Sequence, residues 1–245
     1  MALPYPWPDF LVLALACFTA GTVRGFAGFG AAMIFMPLAS TVVEPWRAVV
    51  LLLFLDCLLP LPMVPRALKL CTWSEVGPFV LGASLLVPVG GYLLISVDPT
   101  LLRWALSVLA LLAVAALLSG WRYHQAPSRW ISAGVGSLTG FLGGLASFYG
   151  PPMVLFWLGG QSSSATVRAN IIVFFFAMTL VASASYAALG VLRLSVLIES
   201  LYLMPFYGLA LFLGTRLYRL ASERVFRALA YIAITLAALS SLPIF

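Results

Sequence analysis

The sequence predicts an all-α polytopic membrane protein made of two inverted repeats, each a broken or re-entrant helical hairpin followed by three transmembrane helices. Three observations point there. The 245-residue chain is 63% apolar and 8% charged, whereas a soluble domain carries about 25% charged residues to cover its surface. Two apolar runs, 10–43 and 130–167, are too long to cross a bilayer straight: at about 1.5 Å per residue each would make a helix of roughly 50 Å against a hydrocarbon core of about 30 Å. Finally, both runs carry the same pattern of small residues. This composition excludes a soluble enzyme, and the net charge of +6 comes with no basic cluster or nucleic-acid motif, so it reads as a membrane-orientation signal.

The first element is the run 10–43, preceded by Met-Ala-Leu-Pro-Tyr-Pro-Trp-Pro-Asp, which has no basic n-region and therefore reads as a retained segment. Its landmarks are Gly21, Gly25, Phe26, Gly28, Ala31 and Pro37. The second run repeats them as Gly136, Gly140, Phe141, Gly143, Ala146 and Pro152, each displaced by 115 positions. Six ordinary spans complete the chain, at 48–65, 76–96, 101–119, 169–191, 194–215 and 225–243. Further echoes, Arg47-Ala48 with Arg168-Ala169, Gly91 with Gly214 and Arg103 with Arg227, extend the match into a duplication of 1–122 by 123–245.

Charge placement selects how the broken runs fold. If each crossed the membrane once, Arg and Lys would divide evenly between the two faces. If each turns back to the side it came from, Arg66, Lys69, Arg122, Arg129, Arg168, Arg216, Arg219, Arg224 and Arg227 share one face and Arg47, Arg103 and Arg193 the other, nine against three. The positive-inside rule favours the second arrangement, with both chain ends outside the cytoplasm. A returning hairpin plus three spans is an odd number of crossings, so the halves enter the membrane in opposite senses.

Glycine at each turn admits positive φ and uncovers backbone N–H groups, while the helix that follows presents its positive dipole end. We therefore read Gly28, Phe29 and Gly30, with Gly143, Gly144, Ser147 and Tyr149, as two cradles for a small oxyanion; Ser147 and Tyr149 could equally cap the half-helix. Gly21/Gly25 and Gly136/Gly140 read instead as close helix packing. Arg24, placed within an apolar run at a cost of about 2.5–3.5 kcal/mol at the bilayer centre, needs a partner. A bound oxyanion is one candidate, and Asp56, midway along the second segment and assigned to coupling or gating, is the other. The position equivalent to Arg24 is Thr139. Glu199 reads as snorkelling to the interface, Asn170 as an interfacial cap, and His124 as a loop residue. Cys17, Cys57 and Cys71 read as buried packing without a disulfide or metal site. The seven tryptophans read as an interfacial belt, and Phe174-Phe175-Phe176 as lipid-facing or packing surface. No P-loop, metal-ligand set or nucleophile–base motif is present, so neither an enzyme nor a cofactor is expected.

The stretches GTVRGFAGFGAAMIFMP (21–37) and GSLTGFLGGLASFYGPP (136–152), each leading to a span that opens near Arg-Ala, resemble the TauE/SafE sulfite exporter family. Many members carry consecutive glycines in both of these stretches, whereas here the first has Gly28-Phe29-Gly30-Ala31 and the second Gly143-Gly144-Leu145. The resemblance implies a secondary transporter of the cytoplasmic (inner) membrane that moves sulfite, organosulfonates such as sulfoacetate, or related anions by alternating access. The implied partners are a small anionic substrate, the lipid bilayer and a coupling proton or ion. The competing readings are a passive anion channel and a carrier of small carboxylates.

Overall fold

The computed structural model describes residues 4–27, 29–57, 61, 64–119, 128–158, 162–220, 232 and 235. Among them every regular element is helical: α1 (Trp7–Ala27), α2 (Ala31–Ala39), α3 (Pro45–Cys57), α4 (Val64–Leu70), α5 (Trp73–Ser96), α6 (Pro99–Leu118), α7 (Arg129–Ala146), α8 (Gly150–Leu158), α9 (Ser164–Ala188) and α10 (Leu194–Leu220). Helices are what an apolar solvent demands, because each satisfies its backbone polar groups within itself.

Both over-long runs are interrupted where the glycines fall: the first between Ala27 and Ala31, the second between Ala146 and Gly150. The arms are unequal. The first arms have 21 and 18 residues and the second arms 9 each, or about 31, 27 and 13 Å of helix. A first arm thus comes close to crossing the core alone, and the turn falls nearer the far side than a midplane hairpin would place it.

Five helices, Trp7–Phe26, Trp73–Ser96, Pro99–Ala116, Thr166–Ala188 and Leu194–Leu217, are long and apolar enough to cross a membrane, and the protein is a multi-pass membrane protein. Within the expected span 48–65, α3 accounts for the residues up to Cys57 and α4 opens at Val64; residues 58–60 and 62–63 lie outside the described set. The expected span 225–243, apart from Ile232 and Thr235, lies outside the described residues, as do Gly28, Arg122 and His124. α5 shows the division of faces a lipid environment imposes. Leu81, Leu85, Val89 and Tyr92 are exposed, whereas Phe79, Ala83, Val87 and Leu94 are buried on the opposite side.

The chain forms two compact units that cut across the sequence halves. Unit 1 comprises Met1–Leu55, Val97–Ala115 and Arg193–Phe245, and unit 2 comprises Asp56–Ser96 and Ala116–Leu192. Each unit pairs a broken segment from one half with a long helix from the other, α1 with α10 in unit 1 and α7 with α5 in unit 2. Lipid gives apolar faces no reason to associate, so close backbone packing must supply the attraction. Glycine makes that possible. A Cβ at Gly21 would lie 2.8 Å from the Tyr207 carbonyl oxygen and one at Gly25 2.3 Å from that of Leu211. In unit 2 a Cβ at Gly136 would lie 2.2 Å from the Phe79 oxygen and one at Gly140 2.1 Å from that of Ala83. One parallel crossing is thus made twice, with 79 and 83 matching 207 and 211. This register replaces the match of Gly91 with Gly214 read from sequence. Gly214 packs on Thr22, while Gly91 meets the Tyr186 ring.

Two aromatic expectations are settled by packing. Trp157 is not part of an interfacial belt: it is 1% exposed, tilted against Phe79 and edge-on to Phe156 and Phe174. Phe174 is core, with centroid distances of 5.2 Å to Phe79 and 5.8 Å to Tyr149.

We predict that Gly25→Ala and Gly140→Ala each destabilise the detergent-solubilised protein by about 1–3 kcal/mol, because the added methyl meets a carbonyl oxygen that only backbone movement can relieve. Gly134→Ala, where a Cβ meets nothing within 4 Å, should be neutral or stabilising by about 0.5–1 kcal/mol. Thermal unfolding of the three variants checks this.

Candidate functional site

At the first turn, in unit 1, Gly30 is the N-cap of α2 with φ 92°, a left-handed conformation in which a side chain is strained. A Cβ there would also sit 3.4 Å from Val23, so the turn folds back against the last turn of α1, where Arg24 follows Val23. Arg24 is partly buried and Phe29 lies between the helices, also partly buried. Gly30 contributes no side-chain cap. Met33 N–H turns back to the Gly30 carbonyl at 3.1 Å, which leaves the N–H groups of Ala31 and Ala32 as the donors of the helix opening. Residues Ala31 to Pro37 are buried, so this positive helix end lies inside protein. Arg24, at the carbonyl end of α1, is also placed to favour that helix's negative terminus.

The second turn, in unit 2, has different chemistry. Ser147 is the C-cap of α7 with φ 57°; its N–H donates to Gly143 O at 2.7 Å and Phe148 N–H to Leu142 O at 3.3 Å. That pattern closes the carbonyl end of α7. Gly143 and Gly144 lie within α7, where their N–H groups belong to the helical ladder, and we revise their expected role as donors. They are glycine for space: a Cβ at Gly143 would lie 1.8 Å from the Tyr149 ring and one at Gly144 2.1 Å from the Val87 oxygen. Tyr149 is buried, edge-on to Phe174 and Phe175, and the Tyr186 hydroxyl donates to Gly144 O at 2.8 Å. Pro151 and Pro152 remove two N–H groups from the opening of α8. The first turn therefore offers more backbone donors than the second. The remaining predicted residue, Asp56, occupies the last turn of α3 and is partly buried; it belongs to unit 2 and Arg24 to unit 1.

Sequence reasoning missed the ionic cluster of unit 1. Glu199, 5% exposed, does not snorkel. It accepts hydrogen bonds from the Tyr5 hydroxyl and from Arg47, whose Nε lies 3.0 Å from Oε2 and whose Nη2 meets Oε1. Arg47 also lies over the Tyr5 ring at 5.4 Å, and Arg193 over Trp46 at 5.1 Å. Tyr5 precedes α1 and Arg47 follows α2, so one carboxylate on α10 holds both ends of the broken segment: it starts and finishes at the same end of the unit. Unit 2 repeats the arrangement with neutral groups. Thr72 N–H, just before α5, donates to Asn170 Oδ1 on α9 at 2.8 Å, and the parallel α5–α7 register brings the start of α7 alongside. The available signal was parity: a residue after each hairpin must meet the helix that the glycines pair with the hairpin's first arm.

A chain of long apolar helices, with two glycine-marked helix breaks buried within it, defines a polytopic membrane protein of the transporter class. It belongs to the sulfite exporter TauE/SafE family, whose model matches residues 13–241. No curated protein and no solved structure matches it at comparable significance.

The ionic cluster yields a prediction. Arg47→Met leaves the buried Glu199 carboxylate without its cation, which costs about 3–5 kcal/mol for a fully buried pair; because Arg47 is one-third exposed, the low end of that range is expected. Arg47→Met/Glu199→Met should recover most of the loss. Burial, then Glu199, hold the Tyr5 phenol well above its ordinary value. Its contribution is thus fully present below about pH 10, the unfolded value, and is lost as pH rises above it. The melting-temperature difference between wild type and Tyr5→Phe should be constant from pH 7 to 9 and shrink beyond pH 10.

Proposed function

We propose that this protein is a secondary transporter of small sulfur-containing oxyanions, sulfite and organosulfonates such as sulfoacetate, working by alternating access in the cytoplasmic (inner) membrane with both termini on the non-cytoplasmic side. The observation that carries the reading is the first turn: a buried helix opening at a left-handed glycine, folded against the residue next to Arg24. Oxyanions suit such a place because N–H groups at a helix start and a guanidinium replace the lost hydration shell with fixed donors. Membership of a sulfite exporter family supports the choice of anion.

In this mechanism Ala31 and Ala32 N–H groups and Arg24 bind the anion, Gly28 and Gly30 let the backbone approach it, and Phe29 shields it from lipid. Gly143, Gly144, Ser147 and Tyr149 shape the second turn, within unit 2. The halves 1–122 and 123–245 act as inverted repeats that rock about the site, with Asp56 in coupling or gating.

Sulfite is expected to raise the melting temperature of the purified wild type. Arg24→Ala should abolish that protection, and Gly30→Ala should weaken sulfite binding about tenfold or more, since a side chain at this φ costs about 1–2 kcal/mol. Counterflow of labelled sulfite in proteoliposomes separates a carrier from a channel. Protection by sulfite unchanged in Arg24→Ala would remove Arg24 from the site.

A further inference from the structure

We infer that the end of unit 2 where α5, α7 and α9 begin is a docking surface for the phosphate headgroup of an anionic phospholipid. These three helices start together and run parallel. The Thr72 N–H, just before α5, donates to Asn170 Oδ1 near the start of α9 at 2.8 Å, and towards their other ends Gly91 of α5 meets the Tyr186 ring of α9. A Cβ at Gly82 would lie 2.1 Å from the Ala133 oxygen and one at Gly136 2.2 Å from the Phe79 oxygen. Continued towards the helix starts, that register sets Arg129 and Trp130 level with Thr72 and Trp73. The short helix α4 packs on α9 with Val64 and Ala67 buried, and the Trp73 indole donates to its Leu68 carbonyl at 3.3 Å.

Four cations are thereby gathered at one end of the unit: Arg66 and Lys69 on α4, Arg129 opening α7 and Arg168 in the second turn of α9, all exposed. The sequences of α4, α5, α7 and α9 hold one carboxylate, Glu75. Electrostatics within the helices does not account for this placement. Three parallel helices bring the positive ends of their dipoles to the same place, where a cation is repelled. An anion from outside relieves that repulsion and the mutual repulsion of the cations together. The surroundings select a lipid over a free anion. Trp73 is 56% and Trp130 87% exposed, with Leu70 and Ile131 exposed beside them. Indoles of a membrane protein settle at headgroup level, so the cations next to them lie where lipid phosphates are, with apolar side chains at hand for the acyl chains. Guanidinium groups take a phosphate bidentately, and clustered basic residues at a helix end favour anionic over zwitterionic lipid.

The purified full chain in neutral detergent micelles, doped with phosphatidylglycerol or with phosphatidylcholine of the same acyl chains, provides the test. Phosphatidylglycerol should raise the melting temperature at a mole fraction about tenfold lower than phosphatidylcholine, and high salt should remove most of the difference. Arg129→Gln/Arg168→Gln and Arg66→Gln/Lys69→Gln should each lose most of this preference, about fivefold per basic side chain removed. Arg129→Lys/Arg168→Lys should retain most of it, and Arg193→Gln/Arg216→Gln, which takes the same charge from exposed positions of unit 1, should leave it intact. Each variant is compared with itself in the two lipids, so a general loss of stability does not enter. The inference is overturned if wild type shows no preference, if both glutamine pairs in unit 2 keep it, or if the unit 1 pair loses as much. Equal stabilisation by inorganic phosphate would make the surface a free-anion site and overturn it as well.

Discussion

Backbone-to-backbone contact through glycine is the constraint on which the rest of this structure depends. Leu and Phe gain nothing from leaving lipid for another apolar surface, so helices associate where they can approach closely enough for many small attractions to add. Gly21 and Gly25 let α1 seat on α10, and Gly136 and Gly140 let α7 seat on α5. Since each pair joins helices from different halves, neither half can fold as an independent domain without leaving its glycine surface uncovered. The exchange also positions the turns, because the arm that carries each break is the arm that the crossing fixes.

Polar groups finish what the crossings begin. In unit 1 a buried carboxylate gathers a phenol and a guanidinium from the two open ends of the hairpin, which would otherwise be tied only by apolar contact. In unit 2 an amide-to-backbone bond serves the same purpose. The charged version is the more vulnerable, because losing one partner strands the other in a low-dielectric interior. The neutral version leaves the buried Asn170 Nδ2 without a hydrogen-bond partner.

The two turns share a sequence pattern and differ in chemistry. In the first, the glycine stands at the start of the second arm, so the left-handed residue opens a helix whose first N–H groups are those of Ala31 and Ala32. In the second, the left-handed residue closes the first arm through its own backbone bonds, and prolines occupy the opening of the next helix. A duplicated pattern therefore produced one donor-rich turn and one that is chiefly a packed wall of aromatic rings.

Composition and segment length determined by themselves that this is a polytopic helical membrane protein with two interrupted runs, because lipid permits no other backbone and a bilayer has a fixed thickness. Spacing alone also marked Gly21, Gly25, Gly136 and Gly140 as contact positions, since small residues four apart form one face of a helix. The family resemblance, likewise, was legible in the glycine-rich stretches. The tertiary structure alone decided which helix each face meets, and so the exchange between halves, the burial of Trp157 and the pairing of Glu199 with Arg47. It also separated Gly30, needed for its backbone angle, from Gly143 and Gly144, needed for the space beside a ring and a neighbouring backbone. The physical reason is common to all of these: periodicity records which residues share a face, but contact between segments 50 to 190 positions apart depends on how the whole chain is packed.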